Sequence, residues 1–267
     1  MKRKIISIIL VAVMTISCST VANAAEKNTV SVEKSSIEFD DVWQEYKNDE
    51  QFNLMLKEYG KECAESFIWD VIAHREEEQE FENNKTRGGG GNICYQYVTN
   101  IKQTETYNCG PTTVLQTLYG MSAAQNVPGS SNAEKIATLN TVCQVSASTG
   151  TSPYNVTVAL NTYKPKGIGN YVYARGTSVT EYGFESTVAT SLTACRPVVL
   201  HALTGSLTYY NGKNSKHYLS LDYIDRTNDV VRIVDCNYNS AYYGVHNQVP
   251  LSEAYKCVAQ QDRYFIY

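Results

Sequence analysis

Apolar residues recur at three- and four-residue spacing between positions 40 and 82: Val42, Tyr46, Phe52, Met55, Leu56, Tyr59, Phe67, Ile68, Val71 and Ile72. That spacing lines one face of an α-helix and predicts helical structure across the segment. It closes on the charged run Glu76–Glu82, and the Asn- and Gly-rich stretch 83–92 then reads as a flexible linker. Beyond the linker the pattern changes. Ile93–Ile101 predicts a strand, and Val114, Leu115, Leu118, Tyr119 and Met121 predict a helix running from Cys109 to about Gly120. Further helices are expected over 132–140, over 151–163 from a Ser-Pro start, and over 187–194. From there the period is two. Pro197–Leu203, Tyr218–Ile224 and Val230–Val234 predict strands separated by turns. Helices followed by an antiparallel sheet, within about 175 residues, give an α+β domain with a substantial core.

Charge divides the chain at the linker. Residues 25–91 hold 17 acidic and 8 basic residues, whereas residues 92–267 hold 10 and 12. An acidic helical arm tied by glycines to a slightly basic domain suggests an inhibitory propeptide over 25–91 that covers the active cleft, with cleavage near Lys85-Thr-Arg87 or at the glycines. An ordinary helical extension is the alternative. Upstream, Lys2, Arg3 and Lys4 precede the apolar run Ile5–Ile16, and Ala22-Asn23-Ala24 offers a small-x-small cleavage site. Residues 1–24 are therefore expected to be a signal peptide, which places the remainder outside the cytoplasm. Lipidation at Cys18 is the rival reading. No later apolar run suggests a membrane anchor, and the scattered Lys and Arg give no nucleic-acid footprint. The chain has no CxxC, HExxH, phosphate loop or GxSxG, so neither metal nor cofactor is expected.

The chemistry concentrates around Gln103 and Cys109-Gly110-Pro111. Proline suits a first helical turn, so Cys109 is expected at a helix N-terminus, where the dipole favours a thiolate. Gln103, six residues upstream, can turn back and offer its amide to an oxyanion beside the Cys109 N–H. The bland alternative is a buried cysteine at a helix cap. A base and its orienter are expected on one hairpin. His217 and Asp235 are symmetric about position 226, in the turn Asp225–Asn228, so a hairpin in that register sets them on neighbouring strands at its open end. By alternation His217 shares a face with Leu219 and Leu221, and Asp235 with Val231 and Ile233, both pointing to an interior where Cys109 can meet them. Asn237 is an alternative orienter. His201 is expected to pack, and His74 and His246 receive no role. Five domain cysteines besides Cys109 are an odd set, which argues against a complete disulfide framework. The tyrosines suit either a peptide cleft or ordinary surface.

In the order Gln103, Cys109-Gly110-Pro111, Gly150-Thr-Ser-Pro153, Pro197-Val-Val-Leu200, Lys216-His217-Tyr218 and Asp235, the domain resembles papain-like cysteine peptidases. It looks like the family that includes the bacteriocin-processing, double-glycine peptidases and their secreted relatives. The likeness covers about residues 90–267. It implies a papain-like fold, N-terminal helices packed on a C-terminal antiparallel sheet, acting on peptide or protein substrates. It implies Cys109 as nucleophile, His217 as base, Asp235 as orienter and Gln103 as oxyanion donor. The chain departs from that family's pattern at Lys216, where glycine is common, and at Cys236, where proline commonly follows the aspartate. Other acyl transfers, or a non-catalytic peptide-binding domain, are the alternatives.

Overall fold

Residues 37–86 and 92–267 are described by the computed structural model; the expected signal segment 1–24 and the glycines 88–91 lie outside the described residues. Two units divide between Glu76 and Glu77. The first contains α1 (Phe39–Tyr46), α2 (Glu50–Tyr59) and the start of α3 (Lys61–Thr86). The helical span expected over 40–82 is thus three helices. Asp49 caps α2, accepting from the Phe52 N–H at 3.0 Å, and Gly60 (φ +85°) ends it in a conformation that side chains disfavour. Of the periodic residues, Val42, Tyr46, Phe52, Met55, Phe67, Ile68, Val71 and Ile72 are buried, while Leu56 and Tyr59 are half-buried. Residues 83–86, expected as linker, continue α3.

The second unit is α+β. Among its described residues are β1 (Ile93–Tyr95), α4 (Cys109–Gly120), α5 (Asn132–Val142), α6 (Pro153–Tyr163), β2 (Tyr173–Arg175), α7 (Glu181–Thr193), β3 (Val198–Leu203), β4 (Lys216–Asp225), β5 (Val230–Asp235), β6 (Gly244–Pro250), α8 (Leu251–Val258) and β7 (Tyr264–Ile266). All seven strands pair antiparallel in one sheet, ordered β2-β7-β3-β4-β5-β6, with β1 joined to the far end of β4. The strand expected over 93–101 stops after three residues. The reason is Asp222, which bulges out of the β4 ladder between Leu221 and Tyr223. Its backbone carbonyl takes the Gln96 N–H at 2.9 Å and its carboxylate takes the Val98 N–H at 2.8 Å, so the chain leaves the sheet there. α7 begins at Glu181 rather than 187 because Thr180 caps it earlier. β2, β6, α8 and β7 were not foreseen; the strands among them are three residues long or mostly polar, and carry little alternation.

Helices cover both faces of the sheet. Thr113 of α4 donates to the Tyr218 carbonyl and Ser220 donates to Gln116, which puts α4 on the face of Tyr218 and Ser220. On the other face, Phe184 of α7 meets Phe265, whose strand partner is Leu200, and Leu200 in turn faces Leu219. α4 and α7 both precede β3 in the chain, so helices N-terminal to the main strands pack on both faces of the sheet.

Asp222 also offers a stability test. It is fully buried beside Arg232, and burial, outweighing its hydrogen bonds and the arginine, pushes its carboxyl up to about 6. The folded chain then holds this proton more tightly than the unfolded one. The carboxyl favours folding below the ordinary carboxylate range and loses that contribution as pH rises through about 6. Asn at this position does not titrate. The stability of Asp222→Asn relative to wild type, measured by urea unfolding, should shift in the variant's favour by on the order of 2–3 kcal/mol between pH 4 and pH 7. A pH-independent difference would contradict this account of Asp222.

Candidate active site

Cys109 is the first residue of α4, with Asn108 at the N-cap position but its side chain turned away from the helix N–H groups. Pro111 stands third rather than first, still among the positions whose N–H finds no helical acceptor. The Asn108 side chain shapes the approach: Oδ1 accepts from Glu105 N at 3.1 Å and Nδ2 donates to Thr104 Oγ1 at 2.8 Å. Gly110 lets the helix start press against its neighbours. A Cβ there would lie 2.3 Å from Thr151 Cγ2 and 3.3 Å from the Tyr218 ring. Cys109 itself is half-buried, whereas the helix behind it is buried on almost every side.

His217 and Asp235 meet, but not in the expected register. Asp235 lies directly opposite Leu219, leaving His217 two residues farther out on the same face. The loop between the strands is 226–229, closed by the Asp225 carboxylate accepting from Thr227 N at 2.9 Å and Asn228 N at 3.2 Å; that loop alone would set Ser220 opposite Asp235, and the bulge at Asp222 brings the register one residue back. A diagonal pair on one face remains within reach of a long side chain. His217 Nε2 sits 2.9 Å from Asp235 Oδ1. α4 packs on the alternate face, and Cys109 and His217 interact at the end of β4, where the strand begins.

Asp235 is fully buried and receives four donors: His217 Nε2, the Asn237 N–H at 2.8 Å, Tyr210 Oη at 2.7 Å and Tyr209 Oη at 3.3 Å. That occupies the four lone-pair directions of a carboxylate. Asn237, the alternative orienter, turns its amide to the Tyr210 hydroxyl at 2.9 Å. The tyrosines are themselves packed: Tyr209 stacks on His246 at 3.6 Å and Tyr210 on Tyr242 at 4.4 Å. Burial, with the Asp235 charge adding to it, holds the Tyr209 hydroxyl well above its ordinary range.

The other imidazole nitrogen of His217 is left for sulfur. Burial alone would depress the histidine, but hydrogen bonds to Asp235, Cys109 and Cys236 outweigh it and hold His217 well above its usual range. Burial would likewise raise Cys109. Hydrogen bonding to His217 and the imidazolium charge, with N–H groups of Tyr218 and Gly110, bring it below the ordinary thiol value instead. Cys236 goes the other way: burial, together with the charges of Cys109 and Asp235, raises it despite the same histidine. Of the two thiols, only Cys109 is drawn below the ordinary thiol range.

Gln103 lies beside this group. Its backbone N–H donates to the Cys236 carbonyl at 2.8 Å, and its Nε2 donates to the Glu105 carbonyl at 2.7 Å. The Cys236 thiol lies between Gln103 Oε1 (3.7 Å) and the Cys109 carbonyl (3.6 Å). Gln103 thus reaches the neighbour of Cys109 rather than Cys109 itself. Sequence reasoning overlooked Tyr209, Tyr210 and Cys236. The signals were a Tyr-Tyr pair just before Asn211-Gly212, and a cysteine directly after the orienting aspartate. Among the described residues, no cluster of three or more His, Cys, Asp or Glu is arranged to hold a metal, and no helix is long and apolar enough to cross a membrane. All seven described cysteines are free thiols.

No protein-family model matches the chain, and none of the curated proteins matches it either.

Proposed function

We propose that this chain is a papain-like cysteine peptidase, exported and made as a zymogen, whose nucleophile is Cys109. The observation that carries the reading is one imidazole serving two partners: His217 is held by Asp235 on one nitrogen and polarises Cys109 with the other. A thiolate at a helix start, paired with an imidazolium, is ready to attack a peptide carbonyl. The Cys109 backbone N–H, free at the first helical position, and the second N–H of the Gln103 amide are the proposed oxyanion donors. The imidazolium gives its proton to the leaving amine, leaving a thioester on Cys109. The neutral imidazole then takes a proton from water, whose oxygen displaces the thiol and releases the acid. Asp235 fixes the ring throughout and stabilises its charged form.

The acidic arm is proposed as the propeptide. Its last helical turns, which belong to the second unit, are anchored by acidic side chains: Glu77 meets Arg196, and Glu82 meets Arg226 at 3.0 Å, Ser186 at 2.8 Å and Tyr182 at 2.9 Å. Arg226 follows the last residue of β4, nine residues and roughly 30 Å of strand from His217. These turns are therefore held at the end of β4 far from the catalytic pair.

The test is the pH dependence of kcat/KM on a peptide mixture, with products identified by mass. The active pair is thiolate and imidazolium together. Activity should rise at a pH below the ordinary thiol range, as the pair loses its first proton, and fall only above the ordinary histidine range. A single rise near the free-thiol value would overturn the ion pair. Exclusive formation of amides when an amine is added would move the chain to acyl transfer.

A further inference from the structure

Three arginines of the second unit are less than a tenth exposed: Arg196, Arg226 and Arg263. The first two meet carboxylates, Arg196 with Glu77 and Arg226 with both Glu82 and Glu185. Arg263 meets none among the described residues, and Asp262, next to it in the chain, acts on it only through space. Its Nη1 instead donates to His201 Nε2 at 2.8 Å, and its Nε–H is buried without an acceptor. With Nε2 accepting, the proton of a neutral His201 sits on Nδ1, and Nδ1 is also buried without a partner. Burial first, then the charges of Arg263 and Lys216, keep that imidazole neutral. Two buried N–H donors in one contact pair thus lack acceptors, and one of them belongs to a cation. Such groups cost stability unless something fills them.

Their position ties them to the candidate nucleophile. Arg175 pairs with Tyr264, Tyr264 with His201, and His201 with Tyr218, so the four form one row across four strands on the α4 face. His201 stacks on Tyr218 at 4.8 Å and lies 6.1 Å from the Tyr264 ring, over which the Arg175 guanidinium sits at 5.7 Å. At the other end of the row, the Tyr218 ring packs against Gly110, the neighbour of Cys109. Within the row His201 lies next to Tyr218, and the Arg263 guanidinium that bonds His201 has its Nη1 engaged and an Nε–Nη2 edge with no carboxylate. That edge matches the two oxygens of a carboxylate.

We propose that Arg263 and His201 form an anion subsite that takes a substrate carboxylate a few residues from the scissile carbonyl, supplied by an acidic side chain or by a free C-terminus. The inference rests on the peptidase reading for its meaning, but its test does not need turnover. Alkylation of Cys109 by iodoacetamide, which is neutral, is followed by mass with three short peptides as protecting ligands. One carries a glutamate with both ends blocked, the second replaces it by glutamine, and the third is the glutamine peptide with a free C-terminal carboxylate. One of the two carboxylate peptides should half-protect Cys109 at a concentration about tenfold lower than the neutral peptide, and which of them does so identifies the source. Arg263→Gln should remove that advantage, with protection expressed relative to the variant's own unprotected rate. Should Arg263→Gln fail to fold, Arg263→Lys, which keeps the charge and loses the planar fork, should show a reduced advantage. Equal protection by all three peptides of wild type overturns the subsite, as does an undiminished advantage in both variants. A Cys109 that reacts no faster than the exposed Cys195 without any peptide instead overturns the nucleophile assignment, so the two failures are distinguishable.

Discussion

Cys109→Ala should lower kcat/KM for peptide cleavage by at least about 10⁴-fold while leaving the unfolding midpoint essentially unchanged. The size of the loss follows from the chemistry, since without sulfur there is no thioester and the remaining groups only bind and polarise. The small stability effect follows from geometry. Cys109 is half-buried at a helix start, its thiol fills no core position, and alanine keeps the helix. Cys236→Ala provides the contrast. That thiol is fully buried among Thr113, Gln103 and the Cys109 carbonyl, so its removal should cost stability while leaving the nucleophile in place. Cleavage that survives in Cys109→Ala, measured with a purified single variant and a defined peptide, would remove the peptidase reading.

Asp235→Ala should be the second most damaging change, lowering kcat by about 10³–10⁴-fold and destabilising the fold by about 2–4 kcal/mol. The substitution leaves the His217 ring without its hydrogen bond and strands the Tyr210 hydroxyl and the Asn237 N–H in a buried site. Asp235→Asn separates orientation from charge. An amide oxygen can still accept from His217 Nε2, and the tyrosine hydroxyls can rotate to accept from the amide nitrogen. The asparagine variant should therefore recover at least about tenfold of the activity lost in Asp235→Ala. Its high-pH limb should move to lower pH, because the carboxylate that helps keep His217 protonated is gone. Equal activity of the two variants would mean that holding the ring contributes nothing.

Much of this arrangement is legible in the chain because it rests on local rules. The α4 start follows from Cys-Gly-Pro ahead of an apolar run. The choice of hairpin for His217 and Asp235 follows from two apolar, alternating stretches around a polar turn. What alternation alone does not specify is register, which depends on loop length and on bulges. A loop centred later than expected shifted the pairing past the diagonal, and the residue out of the ladder at Asp222 recovered one position, leaving His217 and Asp235 as a diagonal pair on one face. The same bulge ended β1 early, because Asp222 captures the N–H groups that a longer strand would have used. The alternation of Tyr218 and Ser220 was equally visible, but nothing local assigns α4 to their face; only tertiary hydrogen bonds to Thr113 and Gln116 do so. Tyr210 escaped notice for a related reason. It reaches Asp235 from a short 3₁₀ turn, an element without periodicity of its own.

The most direct measurement is the stoichiometry of inactivation. Wild-type protein is treated with increasing iodoacetamide near neutral pH, and each sample is divided between peptide digestion, to locate the label, and an assay of peptide cleavage. The account predicts that Cys109 is modified first, ahead of the exposed Cys195 and the buried Cys236, and that cleavage falls in proportion to Cys109 labelling until both are complete. Cleavage that persists once Cys109 is fully modified, or a Cys109 no more reactive than Cys195, would contradict it.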